Sequence, residues 1–286
     1  MVDLLAAGIA LGSIYVLAGL GFVLVHNATG AVNFAHGDLV VLGGMTAAAL
    51  VSALGVSPIL VAVCVPILMF PLGLALETFA FRPLRTKNFS AAFTISIAIS
   101  VIVSNVLLLT LGPEARTLAP LKEGRLQIGS FGVPWQSVLI VLLTVVMVAF
   151  QWWLFQRTVL GFKLRAAAQD PETARLMGIP VNRMTSVTVG VAVTYAGIAG
   201  VLLAPVVLLS SGSGSSLILK LYVAVVIGGF GSAIGAVIGG LSLGLLEVFT
   251  ASYVSSSYVN AIIFALLFAV LLARPQGILG RTEVRV

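Results

Sequence analysis

Residues 126–156 read LQIGSFGVPWQSVLIVLLTVVMVAFQWWLFQ and contain no Asp, Glu, Lys or Arg. A helix needs about 20 apolar residues to cross the hydrocarbon core of a bilayer, and this stretch is long enough for one crossing. Within it, Val138–Val148 shows none of the apolar–polar alternation that a strand of a membrane barrel requires. Because the backbone in lipid must satisfy its own hydrogen bonds, the stretch predicts a transmembrane helix.

Six further stretches lack the same four residue types, and the seven together cover 217 of the 286 residues. The six are residues 4–37, 39–76, 88–113, 184–219, 221–246 and 248–273. Only 8% of the chain is charged, against about 25% in a soluble domain, and the mean hydropathy is +1.18. This composition excludes a soluble enzyme, a nucleic-acid-binding domain and a disordered chain.

Glycine, proline and serine clusters divide the longer stretches into nine predicted spans, within a range of eight to ten. The spans are 4–25, 38–54, 58–79, 90–111, 135–156, 185–209, 217–232, 234–252 and 257–273. Glycines crowd residues 228–240, which could form a loop or a re-entrant segment between the seventh and eighth spans. The predicted fold is an all-α polytopic membrane protein with a single transmembrane domain over residues 1–286, whose longest loop is 157–183.

Lys and Arg predict the orientation, because cytoplasmic loops carry an excess of these residues. Eleven of the 15 fall on one side of the nine-span arrangement, in loops 80–89 and 157–183 and in the C-terminal tail. The other side receives Arg116, Lys122, Arg125 and Lys220. The N-terminus is therefore predicted to lie outside and the C-terminus in the cytoplasm. This loop bias also accounts for the net charge of +6 better than nucleic-acid binding does.

Loop 157–183 predicts two short helices, 162–169 and 171–177. Asp170 suits an N-cap, Pro171 suits the first helical position, and Gly178 suits the C-terminal cap. A helix of about two turns is too short to be stable alone, so something must pack on it. Ala174, Leu176, Met177 and Ile179 offer an apolar contact. The loop could lie on the lipid surface, or it could dock on a cytoplasmic protein with the small Ala174 pressed against that partner.

The same loop carries the pattern Gly161-x3-Arg165-Ala166-x3-Asp170-x3-Ala174-x3-Gly178-Ile179. This pattern resembles the coupling loop of ABC-importer permeases. Three more landmarks follow in the expected order over most of the chain: GAVNFAHGD at 30–38, VVIGGFGSAIGAVIGGLSLGLLE at 225–247 and RPQGILG at 274–280. With all four, the chain resembles the LivH-type permeases of branched-chain amino acid ABC importers.

The resemblance implies a multi-pass permease subunit in a bacterial inner membrane. It implies two cytoplasmic ATPase subunits, an external substrate-binding protein, and a second permease that is either a LivM-like sister or another copy of this chain. The implied substrates are branched-chain amino acids moved by alternating access, although similar permeases serve urea and short amides.

ATP hydrolysis is not expected on this chain. A phosphate-binding loop needs a Gly-Lys pair, and none of Lys87, Lys122, Lys163 or Lys220 follows a glycine. ATP and Mg are therefore expected on the partner ATPases, with no cofactor on the permease itself.

Polar groups inside the predicted spans give a candidate translocation pathway: Asn33, His36, Gly37, Asp38 and Glu247. Segment 26–38 could be an inner loop between two spans. It could instead be a helix break at depth that lines a wet cavity, where half-helix ends offer partial charges to a zwitterionic solute. Glu247 could serve transport or hold helices together. The two histidines and Asp38 lack a recognisable ligand spacing, so no metal site is expected.

Small residues at four-residue spacing predict close contacts between helices in the glycine-rich region. The residues are Gly231, Gly235, Gly239, Gly240 and Gly244. The same stripe could alternatively narrow a pathway around a small solute.

Two other classes of membrane protein remain open on the residues alone. One is an ion-driven carrier that works alone and uses Asp38 or Glu247 as a proton or sodium site. The other is a membrane scaffold that transports nothing. Loop 157–183 favours the ABC permease, because a self-sufficient carrier needs no docking helix.

Overall fold

A computed structural model describes residues 1–85, 89–128, 131–274 and 276–279 of the chain. Over these residues the protein is built from α-helices and one short β-hairpin. The helices are α1 (Val2–Thr29), α2 (His36–Leu54), α3 (Pro58–Ala75), α4 (Arg82–Arg85), α5 (Phe89–Leu111), α6 (Trp135–Arg157), α7 (Val159–Gln169), α8 (Pro171–Leu176), α9 (Val181–Leu203), α10 (Ser213–Gly228), α11 (Ala233–Tyr253) and α12 (Val259–Ala273). A π-helical turn (Leu76–Phe81) joins α3 to α4, and a 3₁₀ turn (Ser256–Tyr258) precedes α12.

The length and composition of the helices confirm the predicted all-α polytopic class. Among the described residues, eight helices have enough apolar length to cross a membrane, with α3 and its π-helical turn counted as one. A further apolar helix, α10, is shorter at 16 residues. Helix α10 begins at Ser213 and ends at Gly228, four residues earlier at each end than the seventh predicted span. The glycines at 228–231 end the helix.

The centre of the bundle is formed by α1 and α9, whose residues are mostly buried. Helix α1 packs against α9 and α11, while α2 and α3 pack on the other sides of α9. By contrast, most apolar side chains of α3, α5, α6 and α12 are exposed or only partly buried, so these helices lie at the perimeter of the bundle. The outward faces of these perimeter helices are apolar, whereas the outward faces of a soluble protein are polar. Contact with lipid requires such apolar faces.

Contacts between loops show which loops lie at the same end of the bundle. At one end, the backbone of Arg116 pairs with that of Leu209, and Arg125 forms a 3.0 Å ion pair with Asp3. At the other end, Arg82 donates to the Ser186 hydroxyl at 2.6 Å. This grouping of loops is the one that the nine-span arrangement requires. Which end faces the cytoplasm stays a prediction.

Two features of the end that carries Asp3 differ from the sequence analysis. Loop 112–134 contains an antiparallel hairpin of β1 (Arg125–Ile128) and β2 (Phe131–Pro134), in which Arg125 pairs with Pro134. Lys220, which the orientation count assigned to the outer side although it falls inside the seventh predicted span, lies within α10. It therefore contributes to neither side of the Lys/Arg comparison.

Candidate functional site

The turn between α1 and α2 leads from exposed Gly30 to buried Asn33 and His36. The Nε2 atom of His36, the first residue of α2, lies 3.0 Å from the carbonyl oxygen of Ala18. Ala18 is eleven residues before the end of α1 at Thr29, so the His36 side chain reaches back along α1 into the interior of the bundle. Segment 26–38 therefore runs from partly exposed residues at the end of α1 to buried residues at the start of α2. Whether it is an inner loop or a helix break at depth stays a prediction.

Local hydrogen bonds fold the break into a defined turn. Gly30, with a φ of 69°, ends α1 by donating its N–H to the carbonyl of His26 at 2.8 Å. The Oδ1 atom of Asn33 accepts the N–H of Ala35 at 3.0 Å, and the Asn33 carbonyl accepts the N–H of His36 at 3.3 Å. Such an Asx turn lets a short side chain replace the missing backbone partners where a helix restarts.

Asp38 ties α2 to two other helices. Its Oδ2 atom accepts a hydrogen bond from the hydroxyl of Ser100 in α5. Its Oδ1 atom lies against Gly214 in the first turn of α10, where any β-carbon would collide with the carboxylate. The side chain is almost fully buried. Asp38 therefore joins α2, α5 and α10, and it does not serve as the N-cap of α2.

The neighbouring predicted pathway residues are buried at the same place. A β-carbon on Gly37 would lie 2.8 Å from the backbone nitrogen of Ile218, so α2 and α10 cross closely there. His36 is fully buried, and its Nδ1 atom has no hydrogen-bond partner among the described residues. The structure thus brings Asn33, His36, Gly37 and Asp38 together at the start of α2.

Glu247 belongs to a separate polar network. Its Oε1 atom forms an ion pair with the Nζ atom of Lys220, and its Oε2 atom accepts the hydroxyl of Tyr15 at 2.6 Å. The side chains of Lys220 and Glu247 are 20% and 17% exposed, so both charges are largely withdrawn from solvent. The sequence analysis missed Lys220. It is the one charged residue between Arg183 and Glu247. An isolated charge in a long uncharged stretch indicates a buried ion pair, so the sequence did contain a sign of this role.

The predicted packing glycines lie at contacts between helices. A β-carbon on Gly235 would come within 2.6 Å of the Gly228 carbonyl oxygen in α10, and one on Gly240 within 2.7 Å of the Val16 nitrogen in α1. Gly239 and Gly244 make comparable approaches to Ala224 and Gly12. Their placement matches the close-packing interpretation.

Gly231 differs from the other four predicted packing glycines. It lies in the turn before α11 with a φ of 82°, and its carbonyl accepts the side chain of Asn27 at 3.0 Å. Glycine is therefore needed here because the turn requires a positive φ, and not because two helices come into close contact.

Loop 157–183 forms the two predicted short helices, α7 and α8. Asp170 caps α8 by accepting the N–H groups of Glu172 and Thr173 at 3.1 and 3.0 Å. A hydrogen bond from the Thr173 side chain, followed by those from the two backbone N–H groups, lowers the pKa of the exposed Asp170 carboxyl. Gly178 ends the helix with a φ of 77°, as predicted. Helix α7 starts three residues earlier than predicted because Thr158 caps it, accepting the N–H of Gly161 at 2.9 Å.

The expected outward contact of Ala174 is wrong. Its side chain is buried against Ala167 and Val181, so it attaches α8 to α7 and α9. The apolar side chains on the outward face are Leu176 and Met177, which are 87% and 77% exposed. Two turns of helix show too little periodicity for the sequence to separate its inner face from its outer face.

The other predicted loop residues secure the loop to the bundle. Gly161 lies so close to α6 that a β-carbon would come within 2.6 Å of the Phe155 Cα. Arg165 donates to the side chain of Gln156 at 3.0 Å. Ala166 and Ile179 are half-buried, and Pro171 occupies the first position of α8.

Comparison with known proteins adds to this geometry. Residues 4–271 match the family described as "Branched-chain amino acid transport system / permease component". The chain belongs to this permease family. It is 33% identical to the high-affinity branched-chain amino acid transport system permease protein LivH of Salmonella typhimurium, over 97% of this chain and 94% of that protein. Against BraD of Pseudomonas aeruginosa the identity is 31%, over 98% and 96%.

These similarities confirm the LivH-type resemblance that four motifs had indicated. A probable LivH of Methanocaldococcus jannaschii is also similar, with 27% identity over 97% of this chain and 92% of that protein. The chain is a multi-pass bacterial membrane protein, and its family consists of transport subunits rather than enzymes. Within the described ranges, no three His, Cys, Asp or Glu side chains are grouped so that they could bind one metal ion.

Proposed function

We propose that this chain is the permease subunit of an ATP-driven importer that carries branched-chain amino acids delivered by an external binding protein. The relatives LivH and BraD are permeases of high-affinity branched-chain amino acid transport systems, and they match nearly the whole chain. The observation that carries the proposal is the exposed apolar end of α8, at Leu176 and Met177. A two-turn helix that ends in bare apolar side chains suits a partner protein that covers it.

Two ATPase subunits dock on this end of α8 and on its counterpart in a second permease, which is a LivM-like sister or another copy of this chain. Contacts lead inward from α8. Ala174 packs on Val181 of α9, and α9 meets α2 where Gly43 and Gly44 approach Gly197 and Gly200. A displacement of α8 is therefore transmitted through rigid helices to the break before α2. ATP and Mg act on the ATPases, and their closure alternates the access of the permease.

The translocation pathway passes the break between α1 and α2. Its support is the group of buried polar side chains at the start of α2, Asn33, His36 and Asp38, which lipid could not satisfy. The end of α1 presents partial negative charge and the start of α2 partial positive charge, which suits a zwitterion. Asp38 sits beside this route, whereas Glu247 is paired with Lys220 between α10 and α11.

An ion-coupled carrier has less support. Such a carrier needs a carboxylate that exchanges protons or sodium with water. Asp38 already accepts a hydrogen bond from Ser100, and Glu247 is already neutralised by Lys220 and bonded to Tyr15. Glu247 is therefore not a vacant ion site, and Asp38 is buried against Ser100 rather than open to water.

Uptake by reconstituted transporter tests the function directly. The permease, its co-purifying subunits and the binding protein are placed in liposomes, and labelled leucine is supplied on the side of the binding protein. We expect uptake that requires ATP on the opposite side and continues when a protonophore and a sodium ionophore collapse all ion gradients. Uptake that ignores ATP and stops with the ionophores would refute the proposal. Competition by urea or acetamide but not by isoleucine would reassign the substrate to the amides.

A further inference from the structure

Helix α5 carries polar side chains on its outward side. Thr94 and Asn105 are both exposed and lie eleven residues apart. Because eleven residues make about three helical turns, the two side chains project from the same side of the helix. Ala98 and Val101 are also exposed and lie between them on that side. These four residues form the outward stripe of α5.

Asn105 lies well inside the length of α5 that would cross hydrocarbon. The helix has 23 residues and is about 34 Å long, against about 30 Å of hydrocarbon core. Asn105 is six residues before its last residue, Leu111, and therefore about 9 Å inside that end. A side chain as short as that of Asn does not reach the membrane surface from there.

The Asn105 amide is only partly satisfied within the chain. Its Nδ2 atom donates to the Val101 carbonyl at 2.8 Å, and this is the one hydrogen bond that the side chain makes with a described residue. The amide oxygen and the second N–H would face hydrocarbon if lipid covered the stripe. Polar groups without a partner are unfavourable in hydrocarbon, so the stripe favours contact with a protein.

Two other perimeter helices lack such a stripe. In α3 every exposed side chain is apolar, and in α6 every exposed side chain before Gln156 is apolar. Both helices are therefore suited to lipid along their outward faces. The contrast distinguishes α5 from these two helices by the chemistry of its exposed residues rather than by their number.

The inner side of α5 packs on the candidate translocation pathway. Its Ser100 hydroxyl donates to the Oδ2 atom of Asp38, and the rings of Phe34 and Phe93 meet edge to face with their centroids 5.0 Å apart. Five residues beyond Ser100, Asn105 points about 140° away around the helix axis. A protein that covers the outward stripe would thus lie one helix away from the start of α2.

We infer that the outward stripe of α5 contacts the second permease subunit, whose facing membrane helix presents a polar side chain that hydrogen-bonds to Asn105. The inference rests on the proposed function, which requires a second permease, and it states which side of this chain that subunit covers. The outward faces of α3 and α6 contact lipid in the same assembly.

Photo-cross-linking in the native membrane tests the contact. The photoreactive p-benzoylphenylalanine replaces Asn105 or, in a separate variant, Val101 in a tagged permease expressed with its companion subunits. Val145 of α6 is the matched control position, since its exposed fraction of 59% is close to the 54% of Val101. We expect illumination to join both stripe variants to a permease subunit, identified by mass spectrometry, and the control to give no protein adduct.

Two results would overturn the inference. One is the absence of a permease adduct from both stripe positions, which would mean that lipid or water covers them. The other is an equal yield of permease adducts from the stripe and from the Val145 position, which would mean that α5 is not distinguished from α6.

A second variant tests the hydrogen bond itself. Asn105→Leu keeps a side chain of similar size but removes the amide. We expect the second permease to dissociate about threefold more readily in detergent, because a hydrogen bond between membrane helices contributes a factor of about this size. Val145→Leu is the control and should leave the ratio of the two permeases unchanged. Equal ratios in the two purified variants would contradict the role of Asn105.

The contact and the proposed function fail separately. A permease adduct at Asn105, in a complex that shows no ATP-dependent leucine uptake, would refute the transport function and leave the contact intact. ATP-dependent uptake by a complex in which neither stripe position gives a permease adduct would do the reverse.

Discussion

The two polar networks inside the bundle differ in whether their buried polar atoms have partners. Between α10, α11 and α1, each charged group has a partner: Lys220 pairs with Glu247, and Tyr15 donates to the same carboxylate. At the break before α2, Asn33 and His36 each keep a buried nitrogen without a hydrogen-bond partner among the described residues. A closed network can hold helices together, whereas an open one has capacity left for a solute. The first network is therefore structural and the second is the place to look for transport.

Removing one member of the closed network should have the largest effect on stability. Lys220→Met leaves the Glu247 carboxylate without its cation, which for a largely buried pair costs about 3–5 kcal/mol. We expect less protein in the membrane and a lower Tm in detergent. Lys220→Met combined with Glu247→Gln should recover most of the loss, because no unpaired charge remains. A single variant as stable as the wild type would break the comparison, since the pair would then not be structural.

Substituting a glycine at the contact between α1 and α11 should have the next largest effect on stability. Gly240→Leu pushes α11 away from Val16 of α1, and overpacking of this kind costs about 1–3 kcal/mol. Ser242→Leu adds a leucine side chain to the exposed face of the same helix and should change the Tm little. The melting temperatures of the two purified variants give the test. Equal values would remove the close-packing account of α1 and α11.

Local chemistry was enough to predict much of the molecule. Runs of uncharged residues located the spans, and Asp170, Pro171 and Gly178 located the second short helix of loop 157–183, because caps and turn residues act on their immediate neighbours. The full-length match to LivH-type permeases agrees with the motifs that first indicated the family.

Contacts between distant parts of the chain were beyond the sequence. The placement of α2 against α1 depends on His36 meeting Ala18, and the partner of Glu247 depends on how α10 turns toward α11. The burial of Ala174 likewise depends on where α9 passes. Periodicity and composition describe one element at a time, so they leave such pairings open.

Attachment of the ATPases to α8 is the central claim, and co-purification tests it most directly. A tagged permease is purified from membranes with its companion subunits, as wild type and with Leu176→Asp and Met177→Asp combined, since both side chains are exposed and outside the bundle core. Leu279→Asp, at an exposed apolar position at the same end of the bundle, is the control.

We expect the double variant to reach the membrane in normal amounts with an unchanged Tm, because neither side chain is buried, yet to lose the ATPases and all ATP-dependent uptake. The control should keep both. A double variant that retains its ATPases and transports leucine at the wild-type rate would contradict the account, because the exposed end of α8 would then not be the docking site.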